Sequence, residues 1–421
     1  MLLIYRGLTN LLFPILIIVM FFRTIIKKED KFRYKEKLYS SHFKPKRNLK
    51  KKLIWFHAAS IGEVKSIIPL IEKFDNDKYE FLITSVTLSS SKLISSSLST
   101  KRNISHRFFP FDKLNLVKHF LNVWSPDLAI FVDSEIWPNF LIEAKEKKIP
   151  LILINGRITK KTFKRWMLIS NFAKKIFNTF DLCLASSNES KIHLQQLNAK
   201  NISFVGNIKL ASPVDSNNAQ NKNAEILDQK KVWCAASTHD GEDIIFLKTH
   251  LNLKKSYNNN LITIIIPRHI SRCKDIQILC RKNNLKSQIL NNNEMIETKN
   301  EIVIVNSFGV LNEYFKYCKS VFIGKSLLKR LELVGGQNPI EAAKLGCKIY
   351  HGPYISNFKE IYSLLKSYKI SYLVNDENDL SKKIKDDLDS NEIDSNKSTN
   401  NINLLGQKIL FDSMKEINKI L

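Results

Sequence analysis

The sequence predicts an α/β protein built from two doubly wound domains. Strand-like apolar runs alternate with helix-period segments along most of the chain, the pattern of parallel sheets with helices on both faces. The alternation breaks once, at the polar, Asn-rich residues 211–229, "ASPVDSNNAQNKNAEILDQ", and then restarts. The chain is also 421 residues long, more than one ordinary core accommodates. Two such domains joined by one linker leave a cleft between their strand ends, where ligands of open α/β sheets bind.

In chain order, residues 11–22, "LLFPILIIVMFF", are uninterrupted apolar sequence, followed by Arg23, Lys27, Lys28, Lys31, Arg33, Lys35 and Lys37. A full membrane span needs about 20 apolar residues, and this run falls short unless residues 2–8 are added past Arg6. A cleaved leader would place small residues after the apolar core, and "MFFRTIIKK" has none. The reading is an uncleaved anchor over residues 1–28, short-spanning or interfacial, its basic flank on the cytoplasmic face. The alternative is a buried amino-terminal core helix.

The first domain, 29–212, carries the strand-like runs "KLIWFHA", "YEFLITSVT", "LAIFVDSE", "PLILINGR", "FDLCLASS" and "NISFVGN". The second, 226–421, carries "KVWCAAS", "LITIIIPRH", "EIVIVNS", "KSVFIGKS" and "CKIYHGP". Residues 376–400 look solvated, and "NINLLGQKILFDSMKEINKIL" closes the chain as a helix.

Hydrophobic residues make up 44% and charged residues 25%, with a formal net charge of +26. That balance excludes a disordered or multi-span membrane protein. The charge asks for nucleic acid, a membrane surface or phosphate-bearing substrates. No RRM, zinc-finger or basic-aromatic signature appears and the basic residues are dispersed, so no nucleic-acid partner is expected. The six cysteines form no CxxC pair and no metal-like cluster, and read as reduced core thiols of a cytosolic protein.

Candidate chemistry sits where strands end. In "HAASIGEV" the chain leaves an apolar strand, turns through Ser60 and Gly62, and enters a helix with Glu63 in its first turn. An acid there complements the helix macrodipole by about 0.3–1 kcal/mol. It also stands where α/β proteins present reactive groups. "FVDSEIWPN" ends another strand with Asp133 and Glu135, and "VGNIKL" supplies Lys209 beside the linker. "ASTHDGED" repeats the strand–turn–helix design, with Ser237 and Thr238 as caps and Glu242 and Asp243 in the first turn. "IIIPRH" places Arg268 after a buried strand, suited to a phosphate. In "VGGQNPIEAAKLG", Asn338 reads as N-cap, Pro339 as first helical residue and Glu341 as reciprocal cap. The two preceding glycines would let the backbone approach a ligand.

Taken together, "HAASIGE", "SEIWPN", "NGRIT", "GNIK", "STHDGE", "PRHISR", "GGQNPIEAA" and "GPYISNFKEI" closely resemble the 3-deoxy-D-manno-octulosonic acid (Kdo) transferases of lipopolysaccharide synthesis. The resemblance runs from the anchor to about residue 365. It implies a GT-B fold of two Rossmann-like domains, CMP-Kdo as donor and a lipid A precursor (lipid IVA) as acceptor at the bacterial inner membrane. It makes Glu63 the general base, and Asp133 and Lys209 transition-state stabilisers. The donor cytidine nucleotide would contact Pro267, Arg268, the turn Phe308, Gly309 and Val310, and Asn338, Pro339, Ile340 and Glu341. No cofactor or metal is implied, and the reaction is read as inverting; the oligomeric state stays open.

Some positions depart from the family pattern. Asp133 stands where Glu is usual, and Asn306 and Val310 replace the acids that flank the donor turn. Gln337 and Lys325 replace the more usual His and Gly. The alternative function is another membrane-associated GT-B glycosyltransferase with a different nucleotide-sugar donor.

Overall fold

The computed structural model describes every residue except 46, 99–102, 214–220 and 391–394, and excludes the side chains of 395–398. The chain divides into two compact units, Met1–Pro213 with Leu405–Leu421, and Val214–Leu404.

The first unit holds β1 (Lys52–His57), β2 (Tyr79–Ser85), β3 (Ile104–Phe108), β4 (Leu128–Val132), β5 (Leu151–Gly156), β6 (Leu182–Ala185) and β7 (Ile202–Phe204). They form one sheet in the order β3-β2-β1-β4-β5-β6-β7, parallel throughout. The chain winds outward from β1 to β3, then returns to build the other half from β4. The order therefore reverses between β1 and β4, which is where the strand ends splay apart. Leu53, Ile54, Trp55 and Phe56 of β1 are all buried, as a strand covered on both faces requires. Trp55 meets Phe120, Phe131 and Phe140 at ring-centroid distances of 5.1, 5.3 and 5.5 Å. Removing such a ring, as in Phe140→Ala, costs about 3–5 kcal/mol. The helix Ile61–Lys73 follows β1 and buries Val64, Ile67, Leu70 and Ile71 at helical spacing.

The second unit repeats the design with β8 (Lys231–Thr238), β9 (Leu261–Pro267), β10 (Ser287–Leu290), β11 (Ile302–Val305), β12 (Ser320–Ile323), β13 (Lys348–His351) and β14 (Ser371–Leu373). Its order is β10-β11-β9-β8-β12-β13-β14, again parallel throughout. The reversal falls between β8 and β12. Two parallel doubly wound sheets make this a GT-B-like α/β chain.

Several local expectations change. The strands β3, β10 and β14 do not stand out in the sequence; each is an edge strand, and "ISHRF" and "SQIL" mix polar residues into the apolar pattern. Of the expected linker 211–229, residues 214–220 lie outside the described set, while Ala224–Gln229 is a helix that buries Leu227. The expected solvated stretch contains the amphipathic helix Glu377–Asp389, which buries Leu380, Ile384 and Leu388. The closing helix runs over Ser395–Ile417, but Leu405–Leu421 belongs with the first unit, not the second. Gly406 shows why: a Cβ there would lie 2.2 Å from the Leu210 carbonyl oxygen, so the helix passes directly over the first unit's backbone.

Candidate active site

At the end of β1, Ser60 caps the following helix, its Oγ accepting from Glu63 N at 3.5 Å. Glu63 reaches back: Oε1 accepts from Ser60 Oγ at 2.6 Å and Oε2 from Ala59 N at 2.8 Å. This is a capping-box exchange, so the helix-capping reading of Glu63 holds. Yet its surroundings do more than cap. Burial, then the nearby charge of Asp133, then that of Glu135, outweigh the two hydrogen bonds and raise its pKa to about 7.

The carboxyl end of β4 supplies those charges. Asp133 sits in the left-handed region at φ 58°, a conformation that costs a non-glycine residue roughly 1–3 kcal/mol. It turns there into an ion pair with Lys209 Nζ at 2.5 Å. Asn155, at the end of β5, donates to Asp133 Oδ1 and accepts from Ile208 N at 3.1 Å. One amide thus fastens both the Asp133 turn and the turn that carries Lys209. That turn, Ile208–Ala211, packs against the helix that carries Glu63.

Glu135 lies two residues on. It accepts from Trp137 Nε1 at 2.8 Å and meets His57 Nε2 at 3.3 Å. Burial pushes its pKa up, but His57 and the Trp137 indole outweigh that and hold it below the usual carboxylate range. The His57 ring is fixed by Thr84 Oγ1 at 3.0 Å and by stacking on Phe109 at 3.7 Å. Two neighbouring carboxylates therefore have pKa values pushed apart, one ionised and one poised near neutrality, which is the signature of an acid–base assignment. Glu63, Asp133 and Lys209 are brought together as the sequence arranged them. His57, Glu135 and Asn155 complete the group; Glu135 already stands out in the sequence as a strand-end acid, whereas presence in "HAASIGE" and "NGRIT" is the only signal for His57 and Asn155.

In the second unit the donor candidates all lie at the carboxyl ends of strands. Arg268 follows β9; its backbone N donates to the Thr238 carbonyl at 3.1 Å, and its side chain is exposed. Pro267 ends the same strand. Beyond β11, Phe308 is exposed, Gly309 takes φ 81° and Val310 precedes the short helix Leu311–Phe315. The helix Ile340–Lys344 begins later than expected: Pro339 is its N-cap, and Asn338 Oδ1 accepts from Ile340 N at 3.1 Å in a local turn. Ile340 is buried and Glu341 partly so. The two glycines before it serve packing. A Cβ on Gly335 would fall 2.1 Å from the Tyr354 carbonyl oxygen, and Gly336 takes φ 87°. They allow close approach to the "GPYISNFKEI" segment, a packing reason for both glycines that needs no ligand.

Two acids in this unit are structural. Thr238 does not cap the helix Asp243–Tyr257; its Oγ1 donates to Asp243 Oδ1 at 2.9 Å, and Arg272 pairs with the same carboxylate. Glu242 is fully buried and accepts four backbone N–H groups: His239 and Lys325 at 2.9 and 2.7 Å, Ser326 and Leu327 at 2.8 and 3.2 Å. It binds the end of β8 to the loop after β12, across the second sheet's reversal point.

Residues 32–212 match the family model for 3-deoxy-D-manno-octulosonic-acid transferase (kdotransferase). A 3-deoxy-D-manno-octulosonic acid transferase of Rickettsia bellii is 34% identical over 363 residues, covering 85% of this chain and 84% of that protein. One of Rickettsia prowazekii is 31% identical over 407 residues, covering 86% of each. In fold, a putative UDP-N-acetylglucosamine 2-epimerase from Listeria monocytogenes is similar at TM-score 0.62 and 10% identity, covering 88% of this chain and 97% of that one. Arrangement and relatives agree: the chain belongs to the Kdo transferase family and is a glycosyltransferase.

Proposed function

We propose that this enzyme transfers Kdo from CMP-Kdo to a lipid A precursor, with Glu63 as general base. The observation that carries the reading is the place of Glu63 at the end of β1: its buried carboxyl, held by Ser60 and Ala59, feels the charges of Asp133, which pairs with Lys209, and of Glu135, and burial with those charges raises its pKa to about 7. An acceptor hydroxyl attacks the anomeric carbon of Kdo and its proton passes to Glu63. The bond from that carbon to the phosphate oxygen breaks with its electron pair, and CMP leaves as a phosphate that needs no proton. A single displacement of this kind inverts the anomeric centre. The Lys209 ammonium, held by Asp133, stabilises negative charge that develops in the transition state.

On the donor side, Arg268 is the phosphate ligand, its guanidinium free to make a two-pronged contact from the end of β9. The exposed Phe308 ring, Gly309 and Val310 would meet the nucleotide, with Pro267 beside Arg268. Val310 offers only backbone groups. Asn338, Pro339, Ile340 and Glu341 would line the ribose, Glu341 accepting from its hydroxyls. The apolar amino-terminal helix would hold the enzyme at the cytoplasmic face of the inner membrane, sparing the acceptor extraction at about 0.8 kcal/mol per exposed CH₂.

The test is mass spectrometry of the product formed from CMP-Kdo and a tetra-acylated lipid A precursor by the purified full chain. A mass increase of one or more Kdo residues is expected. No addition from CMP-Kdo, with addition from another nucleotide sugar in a donor panel, would overturn the assignment of the donor.

A further inference from the structure

The amino-terminal helix, α1 (Leu2–Ile25), is 24 residues long with a mean hydropathy of 2.0 in its most apolar window, enough to cross a membrane by length and composition. Its two faces differ. Met20 is buried and Tyr5, Thr9, Phe13, Leu16 and Thr24 are half-buried, at helical spacing from one end to the other. Ile4, Leu8, Leu11, Ile18, Phe22 and Ile25 are exposed, again end to end. At 100° per residue the two stripes lie on opposite sides of the helix.

Both ends of the shielded stripe are held by the first unit. Near the amino terminus Tyr5 OH donates to Asp112 Oδ2 at 2.7 Å. Arg6 reaches Asn139 Oδ1 at 3.1 Å and Glu143 Oε1 at 2.7 Å, and Glu143 is buried. Leu2, Tyr5 and Phe13 pack on the first unit's aromatic core. Near the carboxyl terminus Arg23 pairs with the buried Glu29 at 2.9 Å, and Glu29 pairs with the buried Lys37 at 2.7 Å. A helix of this length is about 36 Å long at 1.5 Å per residue. A spanning helix would carry Arg6 across the hydrocarbon, about 30 Å from the domain residues that bind it here.

We infer that α1 is an in-plane anchor: it lies lengthwise on the first unit and buries its outer stripe in one leaflet of a membrane. The occupant is lipid, because the stripe is apolar over its whole length and Lys27, Lys28 and Lys31, all exposed, follow it directly. Anionic headgroups answer those charges. The anchor is also wired to the catalytic turn. Asp112, which binds Tyr5, accepts from Asn139 N and Phe140 N at 3.0 Å each and so caps the helix Pro138–Glu146. That helix starts three residues after Glu135. The helix thus sets the orientation of the catalytic turn to the bilayer as well as the enzyme's location. The inference rests on the proposed function only in taking the acceptor to be a lipid.

The test needs neither donor nor acceptor, so its failure and that of the proposed function are separable. The six native cysteines are buried, so single spin labels can be placed on the full chain at Ile4→Cys, Leu11→Cys, Ile18→Cys and Ile25→Cys. With the protein bound to phosphatidylethanolamine–phosphatidylglycerol vesicles, depth is read from oxygen and nickel collision rates. An in-plane helix gives one shallow depth at all four positions, about 5–10 Å below the headgroups. A depth that peaks at Leu11 and Ile18 and falls at Ile4 and Ile25 means a spanning helix and overturns the inference. Water-exposed labels at all four positions, or burial that persists without vesicles because copies associate, also overturn it. A label at Asn10→Cys, on the flank of the stripe, should react with an impermeant maleimide added outside; protection there contradicts the in-plane geometry.

Discussion

Glu63 and Glu242 hold the same place in two sheets. Each stands at the start of the helix that follows the strand beside the reversal point, β1 in one unit and β8 in the other. Each belongs to a turn with glycine just before the acid, "SIGE" and "HDGE". Their surroundings divide them. Glu242 is fully enclosed and accepts four backbone N–H groups, which leaves its carboxylate satisfied and immobile. Glu63 accepts one N–H and one hydroxyl, faces two other acids, and keeps 8% of its surface open. A carboxylate saturated with donors is a structural clamp; one short of donors and crowded by like charge holds a proton more readily, which suits the base role proposed for Glu63. Position in the fold made both candidates, and hydrogen-bond count separated them.

The comparison breaks most visibly at Glu63→Gln. General-base catalysis contributes about 10²–10⁴-fold, or 3–5 kcal/mol, so turnover should fall at least a hundredfold while the fold persists. Full activity in this variant removes Glu63 from the mechanism.

The second effect is on stability against pH. Because the folded pKa of Glu63, about 7, lies above the reference 4.5, the unfolded chain gives up its proton first as pH rises. The contribution of Glu63 to stability is therefore fully present below 4.5, is lost between 4.5 and 7, and stays lost above. The span corresponds to about 3 kcal/mol at 1.36 kcal/mol per unit. Urea unfolding at pH 5 and pH 8 should show the Glu63→Gln variant gaining on the parent by that order; equal pH dependence in both would mean the pKa is not raised.

Glu242→Gln should do the reverse of Glu63→Gln. Its amide turns a donor toward backbone donors and leaves at least one of them buried and unmet, at about 1–3 kcal/mol. The melting temperature should drop by several degrees, with kcat at a permissive temperature close to the parent's. A Glu242→Gln variant that stayed stable but lost activity would erase the distinction between the two acids.

How much of this was legible follows from which signals are local. The doubly wound architecture was, because buried parallel strands write themselves as continuous apolar runs such as "LIWF" and "LITIIIP". The acids at strand ends were legible for the same reason: a strand that stops at a charge marks the sheet's edge. What the sequence hid depends on partners distant in the chain. Asn155 reads as one more polar residue after a strand, yet it joins Asp133 to the turn of Lys209. Gly335 reads as ligand space and proves to be crowded by the Tyr354 carbonyl. The last 17 residues of the chain return to the first unit through the passage of Gly406 over Leu210, a contact no periodicity encodes.

The smallest expected effect concerns the donor side, where the contrast between clamp and reactive group recurs in two arginines. Arg272 is engaged with Asp243 and the Thr238 carbonyl, whereas Arg268 is exposed. Arg268→Ala should weaken CMP binding about tenfold, or 1.4 kcal/mol, with little loss of stability, and Arg268→Lys should recover it only in part. Calorimetric titration with CMP checks this, and unchanged affinity in the Ala variant would mean that Arg268 does not hold the phosphate.

The central claim is that environment, more than position, makes Glu63 the base, and the pH dependence of kcat/KM tests it most directly. Measured from pH 5 to 9 at saturating acceptor, the parent should rise about tenfold per unit and level off near pH 7. Asp133→Asn, which removes the larger of the two neighbouring charges that raise Glu63, should move that break to lower pH, and Glu63→Gln should abolish it. A break that stays near pH 7 in the Glu63→Gln variant would contradict the account.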